Sequence, residues 1–310
     1  MLEKRDYVDK IIKKAIKQTE KYKDIGELAS YIPELANVNP DSFAFCLVTV
    51  DGEVFSYGES EKIFSIQSIS KILSLIMALH DNDPISVFDK VGSEPTSYEF
   101  NSLVPITDKA TNPFINAGAM TTASMVKGAN VDEKFERILA YYKKLSSFED
   151  AYLIKDIYES EMETTDRNRA IAYYLKSKDI FSDNPNDVLD LYIRNCSIAT
   201  NVCALAKTGA VLANKGYKPK TKEKLLSKKE VQIIVSQMAT CGMYENSGRY
   251  LMEVGIPSKS GVSGGILGVV PGVCGLGVYC PRIDKSGNSV RGIELFKILA
   301  KDLGFTIFIN

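Results

Sequence analysis

The hydrophobic patterns along this 310-residue chain predict an α+β fold, an antiparallel sheet flanked by helices, with a helical lobe inserted into it. Three observations carry that prediction. Residues 43–58 read as two apolar strands joined at Asp51-Gly52, a strong hairpin signal. Residues 250–281 are rich in Gly and Val and read as further strands, while about 68–216 between them is mostly helical in period. The sheet is therefore expected from both ends of the chain. The expected organisation is a single domain over 1–310, with a sheet lobe from about 1–66 and 217–310 and a helical lobe from about 67–216.

Taken in order, Val8, Ile11, Ile12, Ala15 and Ile16 recur at helical spacing and leave lysines on the outer face of a first helix. After the hairpin, Ile69, Ile72, Leu73, Ile76 and Leu79 mark a buried helix, and the helical stretch is broken at Pro84, Pro95, Pro105, Pro113 and Pro185. Residues 143–158 match no motif and are expected to form a mobile region near the site. Composition changes after Asn214-Lys215-Gly216, and 226–241 reads as a helix opened by Ser227. The longest uncharged stretch, 260–281, has the length of a membrane span, but its seven glycines and Pro271 indicate paired strands around a Pro271-Gly272 turn. A turn at 284–288 and a closing helix over 290–303 complete the chain. No internal repeat is present.

A formal net charge of -1 gives no electrostatic footprint for nucleic acid or an anionic membrane, so a small ligand is expected. The six cysteines, at 46, 196, 203, 241, 274 and 280, include no Cys-x-x-Cys pair and read as reduced, buried thiols rather than a metal site or disulfide frame. The charged N-terminus lacks the apolar core of a secretory signal, so a cytoplasmic location is expected.

With His80 as the sole histidine, a Ser-His-Asp relay has little to be built from, and a serine nucleophile needs another base. Ser68-Ile69-Ser70-Lys71 supplies a lysine three residues on, at the start of the buried helix, where the two side chains share a face. The tetrapeptide alone describes a helix-start serine with an exposed lysine before it describes a reactive pair. A second match, Ser124-Met125-Val126-Lys127, reads as helix interior. Lys259-Ser260-Gly261 precedes a strand, the context in which a Lys-Ser/Thr-Gly step lies beside a Ser-x-x-Lys nucleophile. Lys207-Thr208-Gly209 falls in a helix-like run and Lys285-Ser286-Gly287 in a turn.

Together, Tyr31-Ile32-Pro33-Glu34-Leu35-Ala36, Gln67-Ser68-Ile69-Ser70-Lys71, Asn112-Pro113-Phe114-Ile115-Asn116-Ala117-Gly118-Ala119, Cys241-Gly242-Met243-Tyr244 and Lys259-Ser260-Gly261-Val262 resemble the catalytic domain of the serine-dependent glutaminases, in order and spacing, from about 31 to 288. The resemblance implies a β-lactamase/penicillin-binding-protein-like fold and hydrolysis of L-glutamine to L-glutamate and ammonia, without metal or organic cofactor. It implies Ser68 as nucleophile, Lys71 as its base, Tyr244 as a proton relay, and the N–H groups of Ser68 and Val262 as the oxyanion hole. Whether Lys71 or Tyr244 is the immediate base stays open. Tyr31, Gln67, Asn116, Glu161, Asn168 and Tyr192 would hold the substrate's charged ends, an anion for the ammonium and neutral donors for the carboxylate. Sequence alone leaves Glu159 and Glu163 beside Glu161. A homodimer or homotetramer is expected. The rival is a penicillin-recognising hydrolase, since Ser182-Asp183-Asn184 also occurs, although it runs into a turn at Pro185.

Overall fold

The computed structural model describes residues 5–308, so residues 1–4 of the charged N-terminal stretch and the last two residues lie outside it. The first helix, α1 (Arg5–Gln18), turns Val8, Ile12 and Ala15 into the core. The short α2 (Pro33–Ala36) follows, with proline in its first turn where no N–H is needed. The hairpin forms as the sequence predicts: β1 (Ala44–Thr49) pairs antiparallel with β2 (Val54–Gly58), and Gly52 takes a positive φ of 87° in the turn. The two-residue β3 (Phe64–Ser65) then leads into a 3-10 turn, Gln67–Ser70, that runs directly into α3 (Lys71–Asp81).

The helical stretch comprises α4 (Pro84–Lys90), α5 (Asn116–Ser124), α6 (Val131–Ser146), α7 (Lys155–Glu163), α8 (Asp166–Ser177) and α9 (Pro185–Cys196). Pro84 and Pro185 sit in first turns, so these prolines open helices rather than merely end them. Residues 143–158, expected to be mobile, are tied down by their backbone. Ile154 N–H donates to Ser197 O at 2.9 Å and Ala199 N–H to Tyr152 O at 2.8 Å. This holds the start of α7, which carries Glu161, against β4 (Ala199–Thr200), and β4 pairs with β3 just ahead of Ser68.

The next helix, α10 (Val202–Ala213), lies flat on the main sheet. After it come α11 (Lys228–Cys241), opened by a capping box at Ser227 and Glu230, and α12 (Ser247–Val254). The strands read from residue 250 onward therefore begin later. Tyr250 and Val254, one turn apart, face the core while Met252 is exposed, a helical rather than alternating pattern, and Gly255 at φ 73° ends the helix. The remaining strands are β5 (Ser258–Gly261), β6 (Gly265–Val270) and β7 (Cys274–Tyr279), the last two joined around Pro271-Gly272 as predicted. The closing helix α13 (Val290–Leu303) returns onto α1. No helix among the described residues is long and apolar enough to cross a membrane.

The sheet order is β2-β1-β7-β6-β5, all antiparallel, so the two ends of the chain meet in the middle of the sheet. One face packs Phe45, Leu47, Leu276 and Val278 against α1 and α13. The other turns Ala44, Cys46 and Val48 toward α10 and the helical lobe, as period-2 alternation requires. Two strand glycines decide how closely α10 sits. A Cβ on Gly275 would lie 2.1 Å from Ala210 N, and one on Gly277 would lie 2.2 Å from Val202 O. Gly275→Ala must therefore push the helix off the sheet. The expected outcome is a folded but less stable protein, by about 1–3 kcal/mol in urea or thermal unfolding, the usual cost of overpacking. An unchanged melting temperature would mean that α10 is not held by this contact.

Candidate active site

Ser68 sits in the 3-10 turn between β3 and α3, buried at 6 % exposure. Its support comes from three sides. Ile66 N–H donates to Ile198 O at 2.8 Å, fixing the chain before the turn. Strand β5 presses on the turn at Gly261, where a Cβ would come 2.9 Å from Ile66 O. Gln67 adopts φ 49°, a left-handed conformation that costs a non-glycine residue on the order of 1 kcal/mol or more.

Lys71, one turn on, is buried, and no carboxylate is among its hydrogen-bond partners. Its Nζ donates to Asn116 Oδ1 at 2.7 Å and to Phe114 O at 3.1 Å. The turn that presents both acceptors is held by Asn112, whose Oδ1 accepts from Phe114 N–H and Ile115 N–H. Gly118 leaves room for the Asn112 carbonyl, which a Cβ would approach to 1.8 Å. Asn116 is oriented in turn by donating its Nδ2 to Asn168 Oδ1 at 2.8 Å. Burial lowers the Lys71 ammonium from an ordinary value near 10.5 to about 8.

Tyr244 reaches the same place from the opposite wall. Gly242 packs on Ser258 O, and Ser260 N–H donates to Gly242 O at 3.1 Å, joining the end of α11 to β5. Tyr244 itself takes φ 56°, and its hydroxyl donates to Ser260 O at 3.2 Å. Burial raises its phenol above the usual range, and a hydrogen bond with Ser68 partly offsets that rise. Val262 follows β5 in the turn into β6 and packs with Ile32, Leu35 and Ile157.

Glu161, 8 % exposed, accepts from Tyr31 Oη at 2.7 Å and from Gln67 Nε2 at 3.2 Å. Burial raises its carboxyl pKa, opposed by those two donors. The Tyr31 ring is half exposed, but its hydroxyl is enclosed between Glu161 and Gln67, and that burial together with the Glu161 charge pushes its phenol well up. Of the three glutamates open from sequence, Glu161 is the one that lines the cavity. Glu159 instead pairs with Lys155 on the surface of α7.

Tyr31, Gln67, Ser68, Asn116, Glu161, Asn168, Tyr192 and Val262 all line one cavity of about 300 Å³. Lys71 and Tyr244 lie behind it. Sequence reasoning assigned no role to several neighbours. The Phe100 ring lies 4.9 Å from that of Tyr244, tilted by 41°, while Arg167 and Cys196 share the cavity wall. Lys259, quoted above only as part of a motif, is fully buried. Its Nζ lies 4.4 Å over the Tyr244 ring and donates to Ser260 O at 2.7 Å. Burial and the nearby Lys71 charge hold its ammonium well below the normal range. A lysine in a β-strand whose flanking residues are uncharged and small was the available signal.

The competing motifs have structural occupations elsewhere. Ser124 closes α5 with its hydroxyl donating to Thr121 O. Asp183 pairs with Lys134 at 2.7 Å, and Asn184 caps α9.

Burial of the Lys71 amine makes the stability of the fold depend on pH. The folded chain holds this proton less tightly than the unfolded one, so the unfolded state binds more protons between pH 8 and 10.5, and stability rises with pH across that window. Lys71→Met removes the contribution. The parent should therefore gain stability relative to the variant as pH rises from about 8 to 10.5, by on the order of 3 kcal/mol at completion. Parallel pH-unfolding curves for the two proteins would contradict the burial assigned to this amine.

Comparison with known proteins agrees with the geometry. The family described as Glutaminase matches residues 26–308. Glutaminase 2 of Clostridium perfringens is 44% identical over 297 residues, covering 94% of this chain and 97% of that protein. The glutaminase of Clostridioides difficile is 44% identical over 302 residues, covering 96% and 98%. Among solved structures, the probable glutaminase ybaS superposes with a TM-score of 0.91 at 39% identity, covering 96% of this chain and 98% of that one. A probable glutaminase from Bacillus subtilis, complexed with 6-diazo-5-oxo-L-norleucine, gives 0.88 at 35%, covering 95% and 94%. These matches extend along nearly the whole chain, through both the sheet and the helical stretch. The protein belongs to the glutaminase family, on its β-lactamase-like fold.

Proposed function

We propose that the chain hydrolyses L-glutamine to L-glutamate and ammonia through a γ-glutamyl ester on Ser68. The observation that carries this reading is the amine of Lys71, buried one turn beyond Ser68 and held by neutral oxygens. A neutral primary amine has two hydrogens and one lone pair. Phe114 O and Asn116 Oδ1 take the two hydrogens, leaving the lone pair to accept the Ser68 proton. The Ser68 oxygen then attacks the amide carbon, and the oxyanion is received by the N–H groups of Ser68 and Val262. Tyr244, between Ser68 and the Lys259 amine, passes a proton to the departing ammonia. Water repeats the sequence on the ester and frees glutamate.

The cavity is suited to a free amino acid. Glu161 is an enclosed carboxylate for the substrate ammonium, whose arrival offsets the cost of keeping it ionised. Tyr31, Gln67, Asn116, Asn168 and Tyr192 supply neutral hydrogen-bonding groups around it. We place the enzyme in the cytoplasm, consistent with six free cysteines, and as a homodimer or homotetramer, for which sedimentation is the direct check.

Treatment with 6-diazo-5-oxo-L-norleucine followed by peptide mass spectrometry should place the adduct on Ser68. Labelling at Ser124 or Cys196 would overturn the assignment. Activity should rise with pH through an ionisation near 8, and Lys71→Met should lose nearly all turnover. Near-normal rates in that variant would make Tyr244 the immediate base. Turnover of nitrocefin in place of glutamine would favour the penicillin-recognising rival, and glutamine binding without ammonia release would favour a binding protein.

Recognition separates from chemistry at Glu161. Glu161→Gln should weaken both glutamine and glutamate at least tenfold while leaving Ser68 able to react with a small activated ester that has no amino group. Equal losses on both substrates would assign Glu161 to the chemistry or the fold.

A further inference from the structure

We propose that the turn at 284–288 is a clamp that positions Tyr244 for proton transfer, with Asp284 as the positioning residue that builds it. The proposal rests on the relay role given to Tyr244 above. Tyr244 opens a three-residue 3-10 turn, Tyr244–Asn246, at φ 56°, a conformation that costs a non-glycine residue about 1–3 kcal/mol and persists only where its surroundings enforce it. The turn at 284–288, forty positions further along the chain, reaches it in three places. Ahead of it, the fully buried Asn288 donates its Nδ2 to Met243 O at 3.4 Å. Behind it, Asn246 Nδ2 donates to Ser286 Oγ at 2.8 Å. Between these bonds the backbone of Gly287 lies against the aromatic ring. A Cβ there would come 3.4 Å from Tyr244 Cε2 and 3.1 Å from Val262 Cγ1, and Gly287 holds φ 92°, so both space and conformation favour glycine.

Asp284 gives the turn its shape. Its Oδ1 accepts from Ser286 N–H and from Asn288 N–H, both at 2.9 Å, its own N–H donates to Asn288 O at 2.8 Å, and Gly287 N–H donates to Asp284 O at 3.0 Å. The two residues that grip the chain on either side of Tyr244 therefore hang from one carboxylate oxygen. Without it, the segment can relax from its left-handed start and carry the Tyr244 hydroxyl away from Ser260 O, which it now meets at 3.2 Å. The chemical effect is selective. Ammonia must take a proton as it departs, whereas a nitrophenolate departs without one. Ser68, Lys71 and the oxyanion donors serve both leaving groups alike, so loss of Tyr244 alignment falls on the amide.

The test compares kcat/KM, which reads acylation alone, for L-glutamine and for the γ-(para-nitrophenyl) ester of L-glutamate, with glutamate binding and melting temperature measured beside it. Tyr244→Phe sets the scale and should lose on the order of 10²-fold on glutamine, the usual share of a positioned acid, and far less on the ester. Asp284→Ala should lose about tenfold or more on glutamine through misalignment, again sparing the ester and glutamate binding. Asp284→Asn keeps the Oδ1 acceptor and should restore most of the glutamine rate. Ser286→Ala removes only the Asn246 link and should give a smaller, equally amide-selective loss. Equal losses on both substrates in Asp284→Ala, no loss on either, or an Asp284→Asn variant as impaired as Asp284→Ala would each overturn the clamp. Should Asp284→Ala fail to fold, an unchanged glutamine-to-ester ratio in Ser286→Ala overturns it instead. Tyr244→Phe with an unchanged ratio would remove the relay and the clamp together, whereas a parent that releases no ammonia from glutamine would reject the hydrolysis itself.

Discussion

Burying the Lys71 amine strips the charged form of its hydration, and the surrounding structure answers with neutral oxygens instead of a carboxylate. A carboxylate would have stabilised the ammonium and raised its pKa, ending its use as a base near neutrality. Much of the local architecture serves this arrangement. Asn112 shapes the turn that offers the Phe114 carbonyl, Asn168 orients Asn116, and Gly118 makes room for both helix and turn. Lys259 repeats the strategy on the other side of Ser68, with a backbone carbonyl as its acceptor and an aromatic face beneath it. Neither amine is hydrogen-bonded to a carboxylate, and the buried acid of the cavity, Glu161, is held instead by Tyr31 and Gln67.

Holding these groups in register demands close backbone approach, which is why glycines recur at the contacts. Gly261 lets β5 touch the turn that carries Ser68, Gly242 lets α11 reach β5, and Gly275 and Gly277 let α10 lie on the sheet. Local strain accompanies that precision. Gln67 and Tyr244, from opposite walls of the site, both adopt left-handed φ values without being glycine. Each is held there by its surroundings, Gln67 by Glu161 and Ser65, Tyr244 by Ser260 and the ring of Phe100.

Much of this was legible in the chain. The hairpin at Asp51-Gly52, the paired strands around Pro271-Gly272 and the helix opened by Ser227 rest on local chemistry, and the structure forms all three. The start of the last strand region was misread because 250–254 lacks helical length. Its helicity comes from Tyr250 and Val254 docking on the core, beside α13. The ten residues singled out for the site converge, eight of them on one cavity wall and two directly behind it.

Sequence by itself determined the elements whose signals lie within a few residues: the amphipathic helices, the tight turns, the Ser68–Lys71 spacing and the uncharged glycine-rich strands. Only the tertiary structure decided what those residues face. The family resemblance pointed to Glu161, but the local pattern did not separate it from Glu159; α7 does, turning one carboxylate inward and leaving the other to Lys155. The Lys71 acceptors lie more than forty positions away. Burial, and with it the proton affinity of every group in the site, is set by contacts between distant segments, and no local pattern encodes those.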